Sequence, residues 1–265
     1  MENATRVSMH MQYLEHEGVE WLELDLLSQF PGVHHGFFLS IGGNSLPPYD
    51  TLNLALDVGD CPKTVLQNQQ KVEKAVRNRA KNDKIDCFFA KGVHGDRVAL
   101  VQKGKWQNVW GADALYTREK DQALFLQQAD CQVAIFYDPT THSGAVVHAG
   151  WRGQVLDIYQ KTIRTLHLDL GVLPAHLFVA IGPSLGPCCF EFCSFQENLP
   201  KEFWTFQVRP GYFDFWAIAK YQIQQAGVPP EQIQVAEICT KTDLRFFSYR
   251  RGSPTGRQAA YLLLL

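Results

Sequence analysis

Ala129-Asp130-Cys131-Gln132-Val133-Ala134-Ile135-Phe136-Tyr137-Asp138-Pro139-Thr140-Thr141-His142-Ser143-Gly144-Ala145-Val146-Val147-His148-Ala149-Gly150-Trp151-Arg152-Gly153 decides how this chain is read. Residues 131–137 form an apolar run rich in β-branched and aromatic side chains, and 144–148 form a shorter one. The stretch between them, Asp138-Pro139-Thr140-Thr141-His142-Ser143, is turn chemistry, so the segment predicts a β-hairpin. In an antiparallel hairpin the start of the first strand lies beside the end of the second. Cys131 is therefore expected next to His148. A thiolate and an imidazole together suit zinc.

The segment continues into a helix. Val155, Tyr159, Thr162, Leu166 and Leu170 recur at spacings of three and four, which predicts a helix over 154–170, with Gly171 as its C-cap. A helix start preceded by Gly150, Arg152 and Gly153 is a natural anion site, because free N–H groups point outward there. Arg152 adds a guanidinium fork. Any one of these residues is more often structural; the cluster points to function. Upstream, His94 sits between glycines in Gly92-Val93-His94-Gly95, flanked by apolar runs at 87–90 and 98–101. It is the candidate third ligand if those strands meet the hairpin. Asp130 is the candidate for orienting a ligand.

The chain has 265 residues, 46% of them hydrophobic, and a net charge of −2, so it carries no overall electrostatic footprint for nucleic acid. No apolar run reaches the roughly 18 residues of a membrane span. The start lacks a signal-peptide core, and the default expectation is a cytoplasmic protein. Seven cysteines, an odd number with two adjacent, argue against a secreted disulfide framework. Cys188, Cys189, Cys193 and Cys239 are expected to be reduced and metal-free.

In chain order, residues 1–18 read as a loosely held start. Alternation at Leu22, Leu24 and Leu26 predicts a half-buried strand, and 33–41 another. Asp60 and Pro62 open a helix with Val65, Leu66, Val72 and Val76 on its apolar face. Residues 106–110 read as a loop. Segments 112–116 and 123–126 precede the central stretch, strands are predicted at 177–181, 233–239, 246–249 and 259–264, and a helix capped by Asp214 ends at Gly227. No linker or repeat breaks the chain. The fold expected is α/β: a single domain over 1–265 with mixed β-sheets.

These motifs resemble a known family. They are Tyr49-Asp50-Thr51-Leu52-Asn53-Leu54, Val93-His94-Gly95, Ala112-Asp113-Ala114, Ala129-Asp130-Cys131, His148-Ala149-Gly150-Trp151-Arg152-Gly153, Ile181-Gly182-Pro183, Cys188-Cys189-Phe190-Glu191, Cys239-Thr240 and Phe247-Ser248-Tyr249-Arg250-Arg251 with Thr255-Gly256-Arg257. The chain is similar to the bacterial laccase-domain, or multicopper polyphenol oxidoreductase, family, now regarded as purine nucleoside phosphorylases. The resemblance implies a zinc site from His94, Cys131 and His148, and a two-sheet sandwich flanked by helices. The family usually carries Thr-Thr-Arg, Asn-Arg and a glutamine where this chain has Phe38-Leu39-Ser40, Asn68-Gln69 and Gly92.

The function expected is phosphate-dependent cleavage of adenosine, inosine or methylthioadenosine, with adenosine deamination as a second activity. Arg152 is assigned to phosphate, and Asn53 and Arg257 to the nucleoside. The departures at Ser40, Gln69 and Gly92 lead to an expectation of slow turnover or a shifted substrate. A copper-dependent polyphenol oxidase is the alternative, weakened because only His94 and His148 can be placed together. A hydrolase with Cys131 as nucleophile and a catalytically weak nucleoside-binding protein complete the set.

Overall fold

The expected hairpin forms. The computed structural model describes residues 11–105, 109 and 111–265. Its strands are Met11–His16 (β1), Val19–Leu24 (β2), Val33–Phe38 (β3), Asp86–Lys91 (β4), Val98–Leu100 (β5), Ala114–Thr117 (β6), Gln122–Gln128 (β7), Gln132–Asp138 (β8), Ser143–Ala149 (β9), Phe178–Ile181 (β10), Gln207–Arg209 (β11), Tyr212–Phe213 (β12), Ile233–Val235 (β13) and Gln258–Leu264 (β14). Its α-helices are Asp25–Ser28 (α1), Pro62–Ala80 (α2), Trp151–Val155 (α3), Ile158–Leu170 (α4), Phe195–Asn198 (α5) and Phe215–Gln225 (α6).

The strands build two mixed six-stranded sheets and a small ribbon, β11-β12. The first sheet runs β1-β2-β3-β14-β7-β4, and the second β13-β10-β8-β9-β6-β5. Alternation in the central strands explains why they stack. In β8, Val133, Ile135 and Tyr137 face the first sheet, where Leu124, Leu126, Ala260 and Leu262 meet them. Ala134 and Phe136 face outward against Tyr159, Ile163 and Leu166 of α4 and Ala219 and Ile223 of α6. On the other outer face, Tyr261 and Leu263 of β14 pack on Val72 and Val76 of α2. Central strands covered on both faces read as continuous apolar runs, as β8 and β14 do. The result is the expected sandwich flanked by helices.

Several boundaries differ from expectation. Residues 11–18 are not loose: β1 and β2 form an antiparallel hairpin, with Met11 opposite Leu24. Leu24 ends β2, which is almost wholly buried rather than half-buried, and Leu26 lies in α1. Leu66 faces solvent, 49% exposed, although Val65, Val72 and Val76 are buried. Cys61 rather than Asp60 is the N-cap of α2. The helix predicted over 154–170 starts earlier, at Trp151, and is interrupted where Asp157 takes a left-handed conformation. Strand β13 stops at Val235, and residues 246–249 form no strand. The loop expected at 106–110 lies almost wholly outside the described residues. Among the described residues, no helix is long and apolar enough to cross a membrane.

Candidate metal centre

Cys131, His148 and His94 come together at the open end of the hairpin. Their ligand atoms all lie within 4.8 Å of one another. The register sets Val133, not Cys131, opposite His148, and Gln132 opposite Ala149. Cys131 thus stands just outside β8, and His148 points from within β9. His94 arrives on the loop after β4, in a left-handed conformation at φ 63°. The two imidazole rings are 5.1 Å apart and nearly perpendicular.

The carboxylate that organises these ligands is Asp113, just before β6. It is fully buried. Its Oδ1 accepts bonds from His148 Nδ1 and from the His94 backbone N–H, both at 2.9 Å. Its Oδ2 accepts from the Gly95 N–H at 2.8 Å. One side chain therefore fixes the ring of one histidine and the loop carrying the other. With Nδ1 engaged, His148 has Nε2 free as a ligand atom, the usual arrangement behind a metal-bound imidazole.

The electrostatics fit a cation. Burial opposes charge on Cys131, but the facing His148 and His94 outweigh it and bring the thiol down to about 6. Burial likewise opposes charge on His148, but Cys131 and Asp113 raise it to about 9. Burial also works against the Asp113 carboxylate, and the His148 bond and two backbone N–H groups still hold it below its usual range. A thiolate and two imidazoles on one spot suit zinc, with a fourth position for water or substrate. Copper is the second choice for the same donors.

Two glycines make room for this arrangement. A Cβ on Gly150 would lie 2.9 Å from His94 Cδ2 and 3.2 Å from Cys131 Sγ. A Cβ on Gly92 would lie 2.2 Å from His148 Nδ1 and 2.5 Å from Asp113 Oδ1. The glycine at 92 therefore lets the loop backbone lie directly on the His148–Asp113 pair.

Asp113→Asn is expected to weaken zinc binding by roughly ten- to a hundredfold, the usual cost of disturbing a group that orients a ligand. Competition against a chromogenic chelator measures it. Unchanged affinity would show that Asp113 does not set the site.

The three candidate ligands line a cavity of about 530 Å³, within the range that holds small molecules. Arg152, Arg257, Phe190, Tyr249 and Arg250 line it as well. Arg152 lies inside the first turn of the five-residue α3, exposed, with its guanidinium 4.7 Å over the Trp151 ring. It is not in front of a long helix, so the anion site expected from an extended helix start reduces to Arg152 itself.

Asp130 lines the same cavity but does another job than expected. Its Oδ1 and Oδ2 accept bonds from Thr240 Oγ1 and the Arg250 N–H, both at 2.6 Å. It ties two loops to the wall, and the orienting role assigned to it belongs to Asp113. Asn53 is not a cavity residue. It is fully buried, its amide donates to Ala55 O and Asp60 Oδ2, and its Oδ1 accepts from the Arg257 N–H at 2.9 Å. Its small side chain is spent on a turn, and it reaches the cavity only by holding Arg257. Arg257 lines the cavity, with Nη1 bonded to the carbonyls of Thr255 and Gly256.

Among the described residues, the other group able to hold a metal is Cys188, Cys189 and Cys239, which adds no histidine. His34 and His35 lie in β3. His35 is buried and accepts the Leu24 N–H at 2.9 Å, and burial takes both rings down to about 4. No multi-histidine copper cluster forms among the described residues.

The family model for the multi-copper polyphenol oxidoreductase laccase matches residues 34–265. A protein of Geobacillus stearothermophilus named purine nucleoside phosphorylase YlmD is 32% identical over 253 residues, covering 88% of this chain and 90% of its own. A Shigella flexneri protein named purine nucleoside phosphorylase YfiH is 32% identical over 235 residues, covering 85% and 91%. The crystal structure of a hypothetical protein YfiH from Bacillus licheniformis superposes with a TM-score of 0.81 at 28% identity, covering 96% of this chain and 99% of that one. With the family model matched over most of its length and its fold shared with a solved relative, the chain belongs to the multi-copper polyphenol oxidoreductase laccase family.

Proposed function

We propose that this protein is a zinc-dependent purine nucleoside phosphorylase, cleaving adenosine or inosine with phosphate to the free base and ribose 1-phosphate. One observation carries the reading: three metal donors and the unburied guanidinium of Arg152 share a single cavity of nucleoside size. The names of the relatives point the same way.

The roles follow from position. His94, Cys131 and His148 would hold the metal, which when bound supplies Lewis-acid stabilisation of developing negative charge. Arg152 binds phosphate and sets it toward the sugar, because a planar fork suits a tetrahedral oxyanion. Holding phosphate and nucleoside together removes most of the entropic barrier to their reaction. Phe190 and Tyr249 line the same cavity, and Arg257 is the candidate contact to the nucleoside. Seven unpaired cysteines favour a reducing compartment such as the cytoplasm.

Zinc-loaded protein incubated with adenosine, inosine and methylthioadenosine, with and without phosphate, tests the reading. Base release that requires phosphate is expected. Ammonia release from adenosine without phosphate would identify deamination as a separate activity. No turnover of any of them, with the metal site full, would leave a nucleoside-binding protein. Loss of a charged hydrogen-bond partner costs ~1.5–3 kcal/mol, so Arg152→Ala should lower kcat/KM roughly ten- to a hundredfold with zinc still bound. The loss should fall on the phosphate dependence. An unchanged KM for phosphate would remove Arg152 from that role.

A further inference from the structure

From the sequence, Cys188, Cys189 and Cys239 were expected to be reduced and metal-free. The fold supplies what the sequence hid. Strands β10 and β13 pair in parallel, and a bridge between Ser184 and Cys239 continues that pairing past both strand ends. The Ser184 N–H donates to Ile238 O at 3.1 Å, and the Thr240 N–H to Ser184 O at 3.0 Å. The chain then turns at Gly186, whose carbonyl accepts the N–H groups of Cys189 at 2.9 Å and Phe190 at 3.0 Å. This turn folds Cys188 and Cys189 back over Cys239. Only glycine permits it: a Cβ at 186 would lie 3.0 Å from Cys239 Cβ and 2.7 Å from the Trp216 ring.

We propose that Cys188, Cys189 and Cys239 form a second, all-sulfur site for a soft d10 cation, taking Cu(I) in preference to Zn²⁺. The three sulfurs lie within 4.8 Å of one another, and Cys188 Sγ is 3.5 Å from Cys189 Sγ. Sulfurs bound at ~2.3 Å to one ion would stand roughly 3.8–4 Å apart, so small side-chain adjustments close the set. Cys239 is buried at the floor, Cys189 is half-buried and Cys188 is exposed, which leaves an open face for entry. The Gly186 N–H already donates to Cys239 Sγ at 3.3 Å, as it would to a bound thiolate.

The group offers three sulfurs and no fourth His, Asp or Glu donor; soft thiolates suit Cu(I), whereas a closed thiolate site for zinc takes four ligands. Cys193 is exposed and stands outside the group.

The test uses the full chain carrying Cys131→Ala, which silences the first centre. Fully reduced protein is titrated anaerobically with Cu(I) buffered by bicinchoninate, and separately with Zn²⁺. One equivalent of Cu(I) is expected, with three sulfur neighbours by X-ray absorption and at least a tenfold preference over Zn²⁺. Adding Cys188→Ser, at an exposed position that leaves folding intact, should remove one sulfur neighbour and weaken binding at least tenfold. Cys239→Ser should do the same. Failure to take Cu(I) from the chelator, uptake unchanged by both substitutions, a nitrogen-containing shell, or tighter binding of Zn²⁺ would each overturn the proposal.

Discussion

Cys131→Ala is expected to give a folded protein that no longer holds zinc and turns over nucleoside about a thousandfold more slowly. A Lewis-acidic ion contributes several kcal/mol at the transition state, and ~4 kcal/mol corresponds to roughly three powers of ten in rate. The fold should persist because Cys131 stands outside β8 and belongs to none of the four apolar clusters of the core. Metal analysis of the purified variant, circular dichroism and kcat measure the three parts. Near-stoichiometric zinc held at His94 and His148 in the variant would contradict the assignment of Cys131.

The second large effect is on stability. Glu23 is 2% exposed on β2 and faces Arg79 at the end of α2. Arg79 Nε and Nη2 donate to its two oxygens at 3.0 and 3.1 Å, and Trp21 Nε1 adds a bond at 3.2 Å. Burial works against the Glu23 carboxylate, but these bonds and the Arg79 charge hold its pKa below the ordinary value. Arg79→Ala leaves a buried carboxylate without its counter-charge and should cost ~3 kcal/mol at neutral pH, at the low end for a broken buried pair because Arg79 itself is partly exposed.

The pH dependence has a definite sign. A carboxyl with a folded pKa below its unfolded one stabilises fully above the unfolded value, ~4.3 for glutamate. That contribution is lost as pH falls through the lower folded pKa. The gap between wild type and Arg79→Ala, read by urea denaturation, should therefore be widest at pH 7 and shrink below about pH 4. A gap constant across that window would mean that Arg79 acts through packing alone.

The sequence made the centre of the fold plain and its edges obscure, for physical reasons. Strands β8, β9 and β14 are apolar on both faces and bounded by turn residues, so their existence could be read directly. Strand β1 could not be, because its mixed residues show no clean alternation and half of them face solvent, and only pairing with β2 defines it. The aromatic run at 246–249 imitates a strand. In the fold the side chain of Gln258 bonds both the N–H and the carbonyl of Phe247, taking the place of a ladder neighbour. The break at Asp157 left no trace in the hydrophobic spacing, since Val155 and Tyr159 stay in phase across it.

The candidate site divides in the same way. His94, Cys131 and His148 were legible because their residue types are chemically distinctive and two of them share a hairpin. Asp113 was not, since its role depends on β6 lying beside β9, a pairing between distant segments. Its one signal was the Ala112-Asp113-Ala114 motif at a strand start. Asp130 and Asn53 sit beside functional motifs, but short side chains with local backbone partners became turn and loop ties. The Gln69 side-chain amide donates to Leu54 O at 2.8 Å, which gives the glutamine a structural role. Ser40 bonds Thr51, Leu52 and Arg245 through its backbone, which any residue at that position would do.

The most direct test of the central claim follows phosphorus. Zinc-loaded protein is mixed with inosine and inorganic phosphate, and ³¹P NMR tracks the sample while hypoxanthine is quantified in parallel. Phosphorolysis predicts that ribose 1-phosphate accumulates in equal amount to the base released, and that both form about a thousandfold more slowly in the Cys131→Ala protein. Base released with phosphate unconsumed, or a rate unchanged by loss of the metal, would contradict the account.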